Sequence, residues 1–256
     1  MTRNVHSLPS RPRASTLVRL LLAWCLLSLP LAAAAYNQNR VATDANGNPL
    51  RIQGSVVIVE PDIELTLVTA GGLQEPRREW SDAARRFYPD AARRLLAEGR
   101  IEQKADFDIP DDLDPDSRLG QVIRLNEAVA YSIAEYTRPG SRLATKRTKN
   151  LDWTLGTGVA ELRAKTGADY ALFTYIRDSY ASGGRTALRI LGILAGAAMG
   201  SYVDIGGGQQ LGVATLVDLR TGQVVWFNLM ARQSGDLRDA AGAEKSVRQM
   251  LEGLPL

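Results

Sequence analysis

Histidine and cysteine are almost missing from this chain: its 256 residues hold one of each, His6 and Cys25. A single cysteine excludes an intramolecular disulfide framework, and the pair is too small a donor set for a zinc site of the Cys/His kind. A Ser-His-Asp triad would have to be built on His6. The phosphate-cradling sequence G-K-[ST] occurs nowhere, which excludes a P-loop. No G-x-S-x-G is present either, so the strained nucleophile elbow of the α/β-hydrolases is excluded with it. Excess charge is also lacking: 31 basic residues face 28 acidic ones, for a formal charge of +3.

Even that small excess sits in one place. Residues 1–35 contain Arg3, Arg11, Arg13 and Arg19 and no acid. Leu20 to Leu31 follows as a run of 12 apolar and small residues, and Ala32 to Ala35 supply a small-residue cleavage site before Tyr36. A basic start, a short apolar core and a small-residue exit are the pattern of a secretory signal peptide. The run is shorter than the ~20 residues of a simple membrane span. Cys25 is preceded by the bulky Trp24 where a lipidated cysteine needs a small residue, so it reads as part of the apolar core. Cleavage before Tyr36 leaves a mature chain with a balance near −1 and with neither His nor Cys. Imidazole bases, thiolate nucleophiles and His or Cys metal ligation then disappear together. A thiol-free chain suits an oxidising compartment, so a periplasmic or secreted location is expected, with outer-membrane association as a further option.

The remainder reads as a lead-in and one domain. Residues 36–54 are polar and rich in Asn, and predict a flexible lead-in; residues 55–256 predict a single α+β domain. Ser55 to Val59 is an apolar β-branched run, a buried strand. Ile63, Leu65 and Leu67 alternate beyond Pro61, giving a second, half-exposed strand or a continuation of the first. Trp80, Ala84, Phe87, Ala91 and Leu95 share one helical face in a segment that Pro89 should kink or split. Arg77, Arg78, Arg85, Arg86, Arg93 and Arg94 give its other face a cationic character. Residues 101–109 could hold a strand. Asp111, Asp112, Asp114 and Asp116 lack the Gly and the closing Glu of a calcium loop, and read instead as a helix start with Asp114 as N-cap and Pro115 at N1. The helix runs to about Tyr136. Gly156-Thr157-Gly158 opens a further helix; Glu161 stands where a dinucleotide fingerprint needs its third glycine. Strands over 169–177, 211–219 and 223–231 follow, the last two forming a hairpin, and a helix over 240–251 closes the chain.

Two segments stand out as contact surfaces. Arg138, Arg142, Lys146, Arg147 and Lys149 lie in an acid-free loop, which makes them candidates for an anionic surface. No aromatics interleave them for base stacking, and the expected export argues against nucleic acid. The second segment, residues 190–203, is 14 residues without a charge. Gly192, Gly196 and Gly200 recur every four residues, the small-xxx-small spacing that lets helices approach closely. With Ile190, Leu191, Ile193, Leu194 and Met199 they are candidates for membrane contact or self-association. The alternative is a helix or hairpin buried against its own sheet, with Gly183-Gly184 and Gly206-Gly207-Gly208 as hinges.

Gly167-Ala168-Asp169-Tyr170-Ala171-Leu172 and Val217-Asp218-Leu219-Arg220-Thr221-Gly222-Gln223-Val224-Val225-Trp226 resemble segments of bacterial envelope proteins with the CsgG, TolB N-terminal and LpoB-like fold. The likeness covers residues 167–228. It implies a mixed or antiparallel sheet flanked by helices, with the Gly-rich apolar segment inserted between sheet strands. It also implies non-catalytic envelope work through an envelope protein partner or a second copy, in a secretion or envelope accessory role, with no cofactor and no metal. The competing reading is a His- and Cys-free hydrolase of envelope glycan, which needs only two carboxylates; Asp169, Asp178 and Asp218 are then the candidates.

Overall fold

The computed structural model describes residues 36–136, 141, 150–201, 206, 208–232 and 236–256. The signal segment read at 1–35 lies outside them. Among the described residues seven strands form one mixed sheet: β1 (Tyr36–Val41), β2 (Val56–Ile58), β3 (Asp62–Val68), β4 (Gln74–Pro76), β5 (Tyr170–Ala181), β6 (Gln210–Asp218) and β7 (Val224–Arg232). Its order is β1-β7-β6-β5-β3-β4, and β2 also pairs with β5. β2 and β3 run parallel to β5; the other pairings are antiparallel. The class is α+β, with helices on both faces.

The longest strand, β5, organises the rest. β2 lies against Tyr170–Leu172 and β3 against Tyr175–Ala181. Val59, Glu60 and Pro61 therefore face only Phe173 and Thr174, so one extra residue bulges at the proline, which has no N–H for the ladder. The two runs are thus one interrupted strand, as the alternation allowed. Beyond β2, residues 102–107 add bridges at Gln103 and Phe107 without becoming a strand.

The lead-in is a correction. Tyr36–Val41 is an edge strand, paired residue by residue with β7. Composition misleads here because an edge strand is held by its backbone ladder, so its side chains can stay polar.

Helices α1 (Arg78–Glu98) and α5 (Ala240–Met250) cover one face. Ala84, Tyr88, Ala91, Leu96, Val247 and Met250 meet Ile63, Leu65, Leu172, Ile176 and Trp226 there. The other face carries α2 (Arg118–Tyr136) and a 3-10 turn (Gly156–Val159) running into α3 (Ala160–Thr166). Its core is Leu119, Val122, Ile133 and Leu162 against Val57, Phe173, Val217 and Phe227. Alternate residues of β5 thus enter opposite cores, where each fully buried large apolar side chain contributes about 1.5–3 kcal/mol.

Three local expectations change. Pro89 does not split α1, because Ala84 and Tyr88 before it and Ala91, Ala92 and Leu96 after it share one buried stripe. The arginines of α1 are less cationic than their count: Arg77 pairs with Glu75, Arg78 and Arg85 with Asp82, and Arg93 with Asp90 and Asp106. α2 is capped by Ser117, whose Oγ accepts the Gly120 N–H at 3.1 Å. Asp114 instead closes the preceding turn, accepting the Asp116 N–H at 2.9 Å.

Candidate functional site

The insertion between β5 and β6 begins where the ladder ends. Ser179 N–H donates to the Gln209 carbonyl at 2.9 Å, and Ser182 N–H to the Val68 carbonyl at 2.9 Å. From Ser182 the chain enters α4 (Gly183–Ala198), with the Ser182 Oγ accepting the Arg185 N–H at 3.1 Å. Gly183 and Gly184 are therefore the first helical turn and not a hinge. Gly200, at φ +71°, ends the helix. Ser201 N–H reaches back to the Gly196 carbonyl at 2.8 Å and Gly200 N–H to the Ala197 carbonyl at 3.1 Å, the paired bonds of a Schellman cap.

Helix α4 is not buried in the sandwich. Leu188, Ile190, Leu191, Leu194 and Met199 are 45%, 53%, 60%, 58% and 76% exposed. Arg185, Arg189, Gly192 and Ile193 are half-buried and Gly196 is buried. At ~100° per residue these five share one face, and the exposed Ala187, Leu188, Ile190, Leu191, Leu194, Ala195, Ala197 and Ala198 cover an arc of about 180°. One expectation is corrected. The segment is not packed away on its own sheet. The glycines are not its free surface either: Gly192 and Gly196 face inward, and Gly200 lies past the helix end. The free surface is made by the large apolar residues opposite, with Leu188 added to those named from sequence.

A buried polar network underlies the root of α4. Asp178, 3% exposed, accepts the Tyr180 hydroxyl at 2.6 Å and the Gln210 amide at 2.7 Å on one carboxylate oxygen. The Gln210 carbonyl oxygen accepts Arg232 Nε at 2.5 Å, and the same guanidinium donates to Ser246 and Gln249 of α5. Tyr180 in turn accepts the Leu237 N–H at 2.9 Å. Its ring meets Trp80 edge-on and lies under Arg238, 4.0 Å from the guanidinium carbon. Burial pushes the Asp178 carboxyl up to about 6, against the pull of its hydrogen bonds and of Arg232. Burial likewise lowers the Arg232 guanidinium from its ordinary value. The network ties β5, β6, β7 and α5 together beside the helix. Sequence reasoning missed it. The available signal was parity: Asp178 shares its side of β5 with Leu172 and Ile176, and Arg232 shares its side of β7 with Trp226 and Met230.

The carboxylates considered for hydrolysis are not brought together as a catalytic pair around Asp178. Asp169 and Asp178 are nine positions apart along extended backbone, about 30 Å, far beyond the ~5–9 Å that glycoside hydrolysis uses. Asp169 accepts the Ser55 N–H at 3.1 Å, faces Arg163 at 3.5 Å, and is held below the usual carboxylate range, chiefly by the Ser55 N–H. Asp218 accepts the Arg220 N–H at 2.8 Å and its guanidinium at 3.3 Å. The two motifs behind the family resemblance are thus turn devices that also join each other. Leu219 N–H donates to the Asp169 carbonyl at 2.8 Å, and Arg220 reaches the Tyr170 hydroxyl at 3.3 Å. Gly222 sits at φ +78°, where a Cβ would stand 2.2 Å from the Gly156 carbonyl oxygen.

No family model and no curated protein matches the chain. The solved structures similar to it include two PelC dodecamers from Paraburkholderia phytofirmans, one of them a single-substitution variant. Each is 13% identical and covers 87% of this chain and 98% of its own, with TM-scores of 0.40 and 0.39. At that overlap the likeness carries no argument about function, and the site has to be read from its own residues.

The surface formed by the described residues includes two clefts. One of about 420 Å³ lies between the lead-in and the β6–β7 turn, lined by Asp44, Arg51, Gln53, Tyr170, Asp218 and Arg220. Its carboxylates are already engaged, Asp44 with Asn46 and Asn48 and Asp218 with Arg220. The other, about 270 Å³, lies on the sheet near the α4 root, lined by Glu64, Thr66, Arg177, Ser179, Gln209 and Leu211. Arg177 there pairs with Asp62 at 2.7 Å. Arg138, Arg142, Lys146, Arg147 and Lys149, the candidates for an anionic surface, lie outside the described residues. No helix among the described residues is long and apolar enough to cross a membrane.

Proposed function

We propose that this chain is a non-catalytic, envelope-associated protein that works by contact, with α4 as its contact surface. One observation carries the reading: a helix with five exposed large apolar residues stands out from a domain whose two cores are otherwise closed. Exposed apolar surface of this kind, contiguous and continuous around a helix, marks an interaction site. The sequence supports the compartment through its N-terminal pattern, and supports contact over catalysis through the scarcity of His and Cys. An envelope accessory role, in secretion or assembly, is the function that joins these features.

Fractionation of the producing cell tests the proposal. The wild type should sediment with the envelope, and the double variant Leu191→Ser/Leu194→Ser should move to the soluble fraction with an unchanged melting temperature. Identical distribution of the two proteins would contradict the role given to α4.

A further inference from the structure

We infer that the surface α4 contacts is one leaflet of a phospholipid bilayer, which the helix enters tip-first with Met199 deepest. This rests on the reading of α4 as the contact surface and adds the chemistry of what it contacts.

Three observations select lipid over a second protein chain. The first is width. A helix that pairs with one other helix presents a narrow apolar seam, whereas the exposed apolar arc of α4 is about 180° wide. Acyl chains surround a helix on every free side and can cover a face that wide. The second is length. From Ile190 to Ala198 the helix rises about 12 Å, and the Schellman turn carries Met199 and Gly200 a little further; half of a ~30 Å hydrocarbon core is about 15 Å. The segment reaches through one leaflet and is too short for two. The third is charge. Gly183 to Ser201 contains Arg185 and Arg189 at the root and no acidic residue. Both arginines lie on the inward face, and from Ile190 to Gly200 the segment carries no charge at all, as acyl surroundings require.

The ends of the helix fit the same environment. Backbone carbonyls left without partners in hydrocarbon are costly. At the tip, those of Gly196 and Ala197 are taken by the N–H groups of Ser201 and Gly200. At the root, Ser182 caps the helix where water is present.

Flotation with vesicles of phosphatidylethanolamine and phosphatidylglycerol tests the inference on the full-length chain. The wild type should float, and Leu194→Glu should lower the partition by about tenfold or more, since a carboxylate would enter the acyl region. Circular dichroism melting of Leu194→Glu should match the wild type, because the side chain replaced is exposed. Depth gives an independent readout. In a Cys25→Ser background, an environment-sensitive dye on Met199→Cys should be quenched by probes deep in the acyl chains, and the same dye on Leu188→Cys by probes near the headgroups. Equal depth at both positions would overturn tip-first insertion. No flotation, together with a concentration-dependent oligomer that Leu194→Glu dissolves, would overturn the lipid inference and leave the contact function standing. Neither flotation nor association, at any concentration, would overturn both.

Discussion

The two ends of β5 are built in opposite ways. At the Tyr170 end the polar side chains close the fold on itself: Asp169 holds Ser55, Asp218 holds the turn to Arg220, Arg220 reaches Tyr170, and the backbone of Leu219 reaches Asp169. At the Ala181 end the buried Asp178–Gln210–Arg232 network anchors the strands, and immediately beyond it the chain sends an apolar helix into the open. Conspicuous motifs therefore mark the end that is closed by its own hydrogen bonds, whereas the end with an exposed apolar surface carries little motif at all. Residue patterns that recur for turn geometry report how a chain folds; exposed apolar area reports what the folded chain still has to cover.

The largest effect that sharpens this comparison comes from truncating the same residue type in the two settings. Leu172→Ala, in the core at the middle of the sheet, should cost about 2–5 kcal/mol in urea unfolding. A small loss there would mean that the sandwich is not the stabilising unit.

Next comes the buried carboxylate. Asp178 binds its proton more tightly in the folded chain, at about 6, than an ordinary aspartate does. The stability this confers is fully present below the ordinary carboxylate value and is lost as pH rises through about 6. A shift of about two pKa units corresponds to roughly 3 kcal/mol at most. The difference between wild type and Asp178→Asn, measured by denaturant unfolding from pH 4 to pH 8, should carry this slope. Parallel curves for the two proteins would show that Asp178 is solvated.

Gly222→Ala should follow, at about 1–3 kcal/mol, because the residue is at positive φ and its new methyl group would press on the Gly156 carbonyl. The loss should appear in unfolding midpoint with α4 exposure unchanged, since the two ends of β5 are separately wired. The smallest effect belongs to Leu191→Ala, within about 0.5 kcal/mol by the same unfolding assay, as for an exposed position that packs on little. The contrast with Leu172→Ala, same chemistry and opposite setting, is the comparison in its simplest form.

Much of this architecture was legible in the residues, and the parts that were not share a cause. Alternation in 169–177 placed β5, the short connection ending in Gly222 placed the β6–β7 hairpin, and the 3.6-residue spacing of Ala84 and Ala91 placed α1, because such patterns report burial and turn geometry. β1 was hidden since backbone pairing holds it and its side chains say nothing about that. The start of α4 was hidden by Gly183-Gly184, which suggest a hinge although Ser182 caps a helix there. Whether Ile190 to Met199 is inside or outside could not be read, because an apolar run looks the same in a core and on an interaction surface. The Asp178 network needed the strand register: its members lie up to 71 positions apart, from Asp178 to Gln249. The orientation of the glycines was hidden for a related reason, since spacing fixes which residues share a face and leaves open which way that face turns.

The central claim is that the exposed face of α4 is covered when the protein is at work. Thiol labelling in intact cells measures this directly, with Leu191→Cys compared with Arg78→Cys on the solvent side of α1, both in a Cys25→Ser background. In the purified protein both thiols should react at similar rates. In the cell Leu191→Cys should be strongly protected while Arg78→Cys still labels; equal labelling of the two in the cell would contradict the account.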